Sequence, residues 1–201
     1  MTASVTRAQL LSRGAKSGAT LLVAGSALGP LVAEAAADPL PATDLDNARV
    51  LVAVELLASD FYSRALKTVK TSAGIAKYLK RASFNEREHY RSLSRVLTEA
   101  GVTPAVPGDF DFTYPKGTFE SEKSIVRFAR MLEPTMLGAY LTVLGATETG
   151  ALRATIAPIA ACEAQHSAYF TAVSGGKVFG LSFPPAVSID QVAKRLNLDL
   201  G

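Results

Sequence analysis

Two glutamate–histidine pairs with the same spacing stand out among the residues that could bind or react. Glu86 lies three residues before His89, and Glu163 lies three residues before His166. The chain has only two histidines, and both complete this pattern. Residues three apart share one face of an α-helix, so each pair would present a carboxylate oxygen and an imidazole nitrogen to one point. The spacing therefore predicts two halves of a metal site, carried by two helices.

Two further glutamates interrupt apolar helical faces and could complete such a site. Glu55 shares a face with Leu51, and Glu133 shares a face with Met136. An ionised carboxylate in an apolar stripe is costly unless it meets a partner or a metal ion. Glu148 is an alternative to Glu133, although it lies fifteen residues further on, at the end of the predicted helix. The other alternative is that all these side chains lie on solvent-exposed faces.

The separations along the chain favour a shared site. Glu133 lies 30 residues before Glu163, and Glu55 lies 31 residues before Glu86. Helices that rise ~1.5 Å per residue would bring both members of each pair to the same height in an antiparallel hairpin. The predicted metal ligands are Glu55, Glu86, His89, Glu133, Glu163 and His166. Four carboxylates and two imidazoles suit two iron or manganese ions better than zinc or calcium.

Four long segments with apolar residues at helical spacing must position these ligands. We predict helices over residues 44–69, 72–100, 120–148 and 151–173. The first two and the last two are joined by only a few residues, so each pair should form an antiparallel hairpin. The stretch between the hairpins contains three prolines and two glycines, which indicates a long connection. The predicted fold is all-α, a four-helix bundle of two antiparallel hairpins joined by a long crossover.

Local signals mark where these helices begin, end and bend. Thr43 or Asp44 is expected to cap the first helix, and Gly101 should end the second in a left-handed conformation. Pro134 and Pro158 lie inside the third and fourth predicted helices. Because proline lacks a backbone donor, either the predicted boundaries are displaced or kinks there help to place the neighbouring carboxylates.

Some residues beside the predicted ligands have a less specific interpretation. Four tyrosines could hydrogen-bond a ligand or carry a radical, although packed tyrosines are commoner in helix bundles. They are Tyr62, Tyr90, Tyr140 and Tyr169. Cys162 is next to Glu163 but points about 100 degrees away around the helix, so we expect it to be a small core residue.

The N-terminal 37 residues resemble an export signal, with a basic region, a mildly apolar run and three consecutive alanines before Asp38. A frayed amphipathic helix is the alternative. Ala8 stands where a twin-arginine signal has its second arginine, so the export route stays open. Cleavage after Ala37 would leave a net charge of +1, from 18 positive and 17 negative residues, and no basic patch that would suggest a nucleic-acid partner. Gly25, Gly29 and Pro30 in the apolar run argue against a stable membrane span.

The predicted domain organisation has three parts. An export signal over residues 1–37 precedes the bundle over residues 38–174, and a C-terminal tail follows over residues 175–201. The tail should contain a short helix near residues 189–196 and pack on the bundle. The side chains that indicate this packing are Phe179, Phe183 and Leu196.

The sequence resembles the exported ferritin-like domain family, which includes plant desiccation-related proteins and many bacterial envelope proteins. The resemblance covers about residues 45–170 and rests on four short motifs. They are Val54-Glu55-Leu56 with Asp60-Phe61-Tyr62, Asn85-Glu86-Arg87-Glu88-His89, Leu132-Glu133 with Ala139-Tyr140, and Cys162-Glu163-Ala164-Gln165-His166. Membership would imply that the six predicted ligands match the metal ligands of the family. Asp60 and Pro134 depart from the family pattern, but neither is a predicted ligand.

Two classes of function are consistent with these features. The first is an exported, redox-active protein with two iron or manganese ions, which would act on oxygen, ferrous iron or peroxide in the manner of a ferroxidase or a manganese catalase. In that hypothesis Glu86 and Glu163 bridge the ions. The second is a non-catalytic envelope protein that keeps the bundle for stress protection or for binding a partner. A bundle that binds peptide or lipid and a homo-oligomeric assembly are also left open.

Overall fold

Four long antiparallel helices form the bundle in the computed structural model, which describes residues 40–178 and 182–196. They are α1 (Ala42–Thr68), α2 (Ala73–Glu99), α3 (Glu122–Ala146) and α4 (Gly150–Val173). Helix α1 packs most extensively against α2, and α3 packs most extensively against α4. The predicted all-α bundle of two hairpins is therefore confirmed, with each helix end within two residues of its predicted position. The predicted export signal lies outside the described residues.

One apolar core runs between the helices because each helix contributes a stripe of large aliphatic side chains. Leu51 of α1, Leu79 of α2, Leu132 of α3 and Ile156 of α4 are all completely buried. Helices α1 and α3 also contact each other, as do α2 and α4. Each helix therefore turns one apolar face towards the bundle axis. Polar side chains that lie on these faces must meet inside the protein.

The helix ends follow local chemistry at most positions. Gly101 has φ of 75° after α2, as its sequence position predicts. Ser121 caps α3 by accepting a hydrogen bond from the backbone amide of Ser124 at 3.1 Å. Pro134 and Pro158 both lie within continuous helices, so the predicted boundaries were not displaced by them.

Asp44 does not have the role that its sequence position suggested. Helix α1 begins at Ala42 after Pro41, and no side chain caps it. The buried carboxylate of Asp44 instead accepts hydrogen bonds from the backbone amides of Glu148 and Thr149, both at 2.9 Å, and from the Thr149 hydroxyl at 2.7 Å. Asp44 therefore joins the start of α1 to the connection between α3 and α4.

We expect Asp44→Ala to lower the free energy of unfolding by about 2 kcal/mol, because two backbone amides and one hydroxyl group lose a charged acceptor. Burial raises the pKa of Asp44, but the hydrogen bonds from Thr149 and Glu148 outweigh it and lower the pKa. The stabilisation is therefore present at neutral pH and is lost as the pH falls below the ordinary range of aspartate. Urea unfolding at neutral and acidic pH measures both effects. Asp46→Ala, which removes an exposed ion pair with Arg49, should change stability by less than about 1 kcal/mol.

The long crossover between the hairpins is held against α1. It contains a short 3₁₀ turn at Pro107–Asp109, and Phe112 is buried. The Tyr114 hydroxyl donates to Asp60 Oδ2 at 2.8 Å. Asp60 also pairs with Arg64 at 2.8 Å, so this carboxylate anchors the crossover.

The C-terminal segment packs on α3 through a glycine. Helix α5 (Ile189–Leu196) follows Val187, whose backbone amide donates to the Gly138 carbonyl at 3.0 Å. A Cβ at Gly138 would lie 2.3 Å from a methyl group of Val187, so only glycine allows this approach. Leu196 is buried as expected, but Phe183 is 88% exposed, and the expectation that it packs on the bundle was wrong. Phe179 lies outside the described residues.

No described helix is long and apolar enough to cross a membrane.

Candidate metal centre

The six predicted ligands come together inside the bundle. Glu55 lies on α1, Glu86 and His89 lie on α2, Glu133 lies on α3, and Glu163 and His166 lie on α4. The four carboxylates are completely buried, and the two histidines are buried to within 9% of their surface. Glu148, the alternative to Glu133, is exposed in the connection between α3 and α4 and is not part of the cluster.

The cluster divides into two overlapping groups of four possible ligands. The first contains Glu55, Glu86, His89 and Glu163. The second contains Glu86, Glu133, Glu163 and His166. In each group the donor atoms lie within 4.8 Å of one another, which is close enough for one ion to contact all four. Glu86 and Glu163 belong to both groups, so these two carboxylates are placed to bridge two neighbouring ions.

Both imidazole rings turn Nδ1 towards the carboxylates. His89 Nδ1 lies 3.0 Å from Glu163 Oε1, 3.2 Å from Glu86 Oε2 and 3.5 Å from Glu55 Oε2. His166 Nδ1 lies 2.9 Å from Glu86 Oε1. It also lies 3.6 Å from Glu133 Oε2. The two nitrogens thus face the two groups of carboxylate oxygens from the α2 and α4 side of the bundle.

Several of these inward-facing atoms are fully buried yet make no well-oriented hydrogen bond within the described part of the chain, although some lie close to an imidazole nitrogen. They are Glu55 Oε2, Glu86 Oε1, Glu133 Oε2, both carboxylate oxygens of Glu163, and His166 Nδ1. Buried polar atoms are nearly always paired, so such a concentration at one point requires an explanation. A pair of metal ions would satisfy all of them, and oxygen and imidazole donors suit iron and manganese. The residues present therefore fit a two-metal centre.

The pKa values of the clustered glutamates are shifted because the carboxylates are buried and close to one another. Burial raises the pKa of Glu55 to about 8, and the neighbouring charge of Glu86 adds to this effect. Burial and the Glu86 charge likewise raise the pKa of Glu163 well above its ordinary range. Burial acts in the same direction on Glu86, but contacts with His166 and His89 lower its pKa to about 2. Without cations, protons must neutralise part of this negative charge.

Two buried tyrosines hold the outer carboxylates in a reciprocal arrangement. Tyr62 on α1 donates to Glu133 on α3, and Tyr140 on α3 donates to Glu55 on α1. Burial and then the charge of the bonded glutamate raise the pKa of each tyrosine, so both phenols remain protonated donors. In the sequence each tyrosine lies seven residues after a ligand glutamate, and this repeated spacing was the signal that could have selected this pair from the four tyrosines.

Cys162 and Asn85 also reach the site, which the sequence analysis missed. Cys162 is half-buried rather than a simple core residue, and its Sγ lies 3.5 Å from His166 Nε2. The Asn85 side-chain nitrogen lies 3.0 Å from the same Nε2 and 3.3 Å from the Cys162 sulfur. Burial raises the pKa of Cys162, but interactions with His166 and His89 outweigh it and lower the pKa to about 6.

The sequence profile of the ferritin-like domain family matches residues 43–176, which include all six candidate ligands and the four long helices except for Ala42. The chain belongs to the ferritin-like domain family. A solved structure of similar fold is that of a hypothetical protein from Methanococcus jannaschii, with a TM-score of 0.59 and 14% sequence identity. The similarity covers 88% of this chain and 100% of that one. At this identity it supports the ferritin-like fold alone. No curated protein matches the chain.

Proposed function

We propose that this ferritin-like protein binds two iron or manganese ions and uses them in redox chemistry with oxygen, ferrous iron or peroxide. The observation that carries the proposal is the pair of overlapping ligand groups, which share Glu86 and Glu163 and contain buried atoms that make no well-oriented hydrogen bond in the described part of the chain. Four carboxylates can neutralise two divalent cations, and metal coordination would remove the cost of burying them together.

Each side chain has a distinct role in this proposal. Glu86 and Glu163 would contribute to both metal positions, while Glu55 and Glu133 would each complete one of them. The tyrosine hydroxyl groups fix one oxygen of each outer carboxylate, which leaves the other oxygen free to bind. Two adjacent iron or manganese ions held in this way would supply two-electron redox chemistry.

The burial of the centre limits the size of its reactants. Two surface cavities of about 410 and 500 Å³ open in the described part of the chain, and none of the six ligands lines either of them. The four carboxylates are completely buried, so a large organic substrate could reach them only if the helices moved apart. Dioxygen, hydrogen peroxide and single metal ions are small enough to reach a buried centre through local motion, which favours these reactants.

The same burial favours one alternative, in which the metal ions are structural and redox-silent and the protein serves a protective or binding role at the cell envelope. Oxygen reactivity separates the two proposals. We also propose export, supported by the signal-like sequence of residues 1–37.

The test of the proposal is the metal content of protein loaded with ferrous iron or manganese without oxygen. We expect about two ions per chain, one for each ligand group, and a loss of most of them in the double variant His89→Ala/His166→Ala. A stoichiometry below about half an ion that does not change in the variant would contradict metal binding. If two ions bind but neither oxygen nor peroxide is consumed, the structural alternative holds.

A further inference from the structure

The outer nitrogens of the two histidines have unequal surroundings, and this inequality has a consequence for the proposed metal centre. Because Nδ1 of each ring faces the carboxylates, Nε2 points away from them, and at His166 it faces the interface between α4 and α2. At His166, Nε2 meets both the Asn85 side-chain amide at 3.0 Å and the Cys162 sulfur at 3.5 Å. His89 also interacts with Cys162.

Asn85 and Cys162 occupy equivalent places in the two halves of the bundle. Each directly precedes a bridging glutamate, and each lies four residues before a ligand histidine. Nevertheless Asn85 crosses from α2 to contact His166 on α4, and it makes no hydrogen bond with His89 in the described part of the chain. The two glutamate–histidine pairs therefore repeat along the chain, but the side chains that contact Nε2 of the histidines do not.

An outer partner matters because it fixes both the ring orientation and the proton of a ligand histidine. When Nδ1 binds a metal ion, Nε2 carries the ring proton and needs an acceptor. In the structure the Asn85 amide nitrogen faces Nε2 and donates to the Cys162 sulfur. When Nε2 carries the proton, rotation about the terminal bond of Asn85 would present its oxygen instead, and the Cys162 sulfur is a second acceptor. Such partners typically change metal affinity by about 10- to 100-fold.

We propose that Asn85 and Cys162 are positioning residues for the ligand histidines, and that Asn85 makes the two metal positions unequal, so that the position completed by His166 fills first and binds more tightly. The inference rests on the two-metal centre proposed above. Cys162 supports both rings, and Asn85 supports His166 alone. The difference in affinity between the two positions is therefore assigned to Asn85.

Single-histidine variants measure the two positions separately. Manganese is titrated into His89→Ala, which keeps the His166 position, and into His166→Ala, which keeps the other, with free Mn²⁺ followed by electron paramagnetic resonance. We expect His89→Ala to bind manganese about tenfold or more tightly than His166→Ala. Equal or reversed affinities would overturn the inference while leaving the metal centre intact. If the unaltered protein binds no manganese, the proposed function itself fails.

Substitutions of Asn85 test the cause of the difference. Asn85→Leu keeps the approximate size but has no acceptor, so it should weaken binding about 10- to 100-fold in the His89→Ala background and leave the His166→Ala background unchanged. Asn85→Asp supplies an acceptor and should retain the affinity. Rescue by aspartate separates positioning of the imidazole from packing, because a purely packing role would tolerate leucine better than a charged side chain at this partly buried position. The assignment of the affinity difference to Asn85 would be refuted if Asn85→Leu and Asn85→Asp changed manganese affinity equally. It would also be refuted if Asn85→Leu weakened binding equally in the two histidine backgrounds.

Cys162 should differ from Asn85 because its thiol interacts electrostatically with both rings, although its close contact is with His166. Cys162→Ser keeps a hydrogen-bonding atom and should preserve binding at both positions, whereas Cys162→Ala should weaken both. In protein loaded with diamagnetic zinc, ¹⁵N resonances of the two imidazoles report which nitrogen carries the proton. We expect a slowly exchanging proton on His166 Nε2 that becomes exposed to exchange in Asn85→Leu.

Discussion

Glu163→Gln is expected to empty both metal positions, whereas Glu133→Gln is expected to weaken only one. Glu163 belongs to both ligand groups, and Glu133 belongs only to the group completed by His166. Glutamine has nearly the same size, but it carries no charge and only one of its terminal atoms can act as a donor to a metal, so it cannot bridge two ions. Metal content should fall from about two ions per chain to less than half an ion in Glu163→Gln, and to about one in Glu133→Gln. Elemental analysis after removal of loosely bound ions gives these values.

Glu88→Gln is the matched control for this experiment. Glu88 lies on α2 two residues after the bridging Glu86, but it points outward and pairs with Arg91. It should retain both ions. Circular dichroism of each variant shows whether the bundle is intact. Two ions per chain in a folded Glu163→Gln would contradict the bridging role, and equal losses in the Glu133 and Glu163 variants would mean that the two positions fill only together.

Metal binding should produce the largest change in stability. An ion that binds only the folded chain at 100 times its dissociation constant stabilises it by about 2.7 kcal/mol, so two independent ions would contribute about 5 kcal/mol. For a chain of this length, about 5 kcal/mol corresponds to a rise in Tm of about 10–20 °C. The physical reason is that the cations neutralise the four buried carboxylates, which otherwise need protons. The cations also contact buried oxygens that make no hydrogen bond in the described part of the chain.

Differential scanning calorimetry with and without chelator measures this rise. The double variant His89→Ala/His166→Ala is the control, because it keeps the carboxylates and loses both imidazole ligands. Its Tm should change by only a few degrees upon metal addition. A similar large rise in the variant would place the stabilising ions elsewhere, and no rise in the unaltered protein would contradict occupancy of the cluster.

The sequence by itself determined the helices and the candidate ligands, because both depend on short-range spacing. Apolar residues at helical intervals and Gly101 located the helix ends closely. A glutamate three residues before a histidine shares a helix face with it whatever the rest of the chain does. Equal separations of about 30 residues then brought Glu55 and Glu133 to the same height as their partners, because helical rise is constant.

Only the tertiary structure decided what surrounds these ligands. Asp44 could have capped its own helix, yet its partners lie 104 and 105 residues away in another connection. Tyr62 and Tyr140 exchange partners between α1 and α3. Cys162 points away from Glu163 around its own helix, but α2 lies on that side and brings Asn85 to it.

The physical reason is that a helix fixes the direction of each side chain, while the packing of the bundle fixes what lies in that direction. Periodicity is a property of one segment. A hydrogen bond across the bundle depends on the separation, the rotation and the relative height of two segments, and these are set by the sum of all core contacts. The ligands of the proposed centre could therefore be predicted singly from the sequence, whereas the partners that Asp44, Asn85 and the two tyrosines find in other segments of the chain could not.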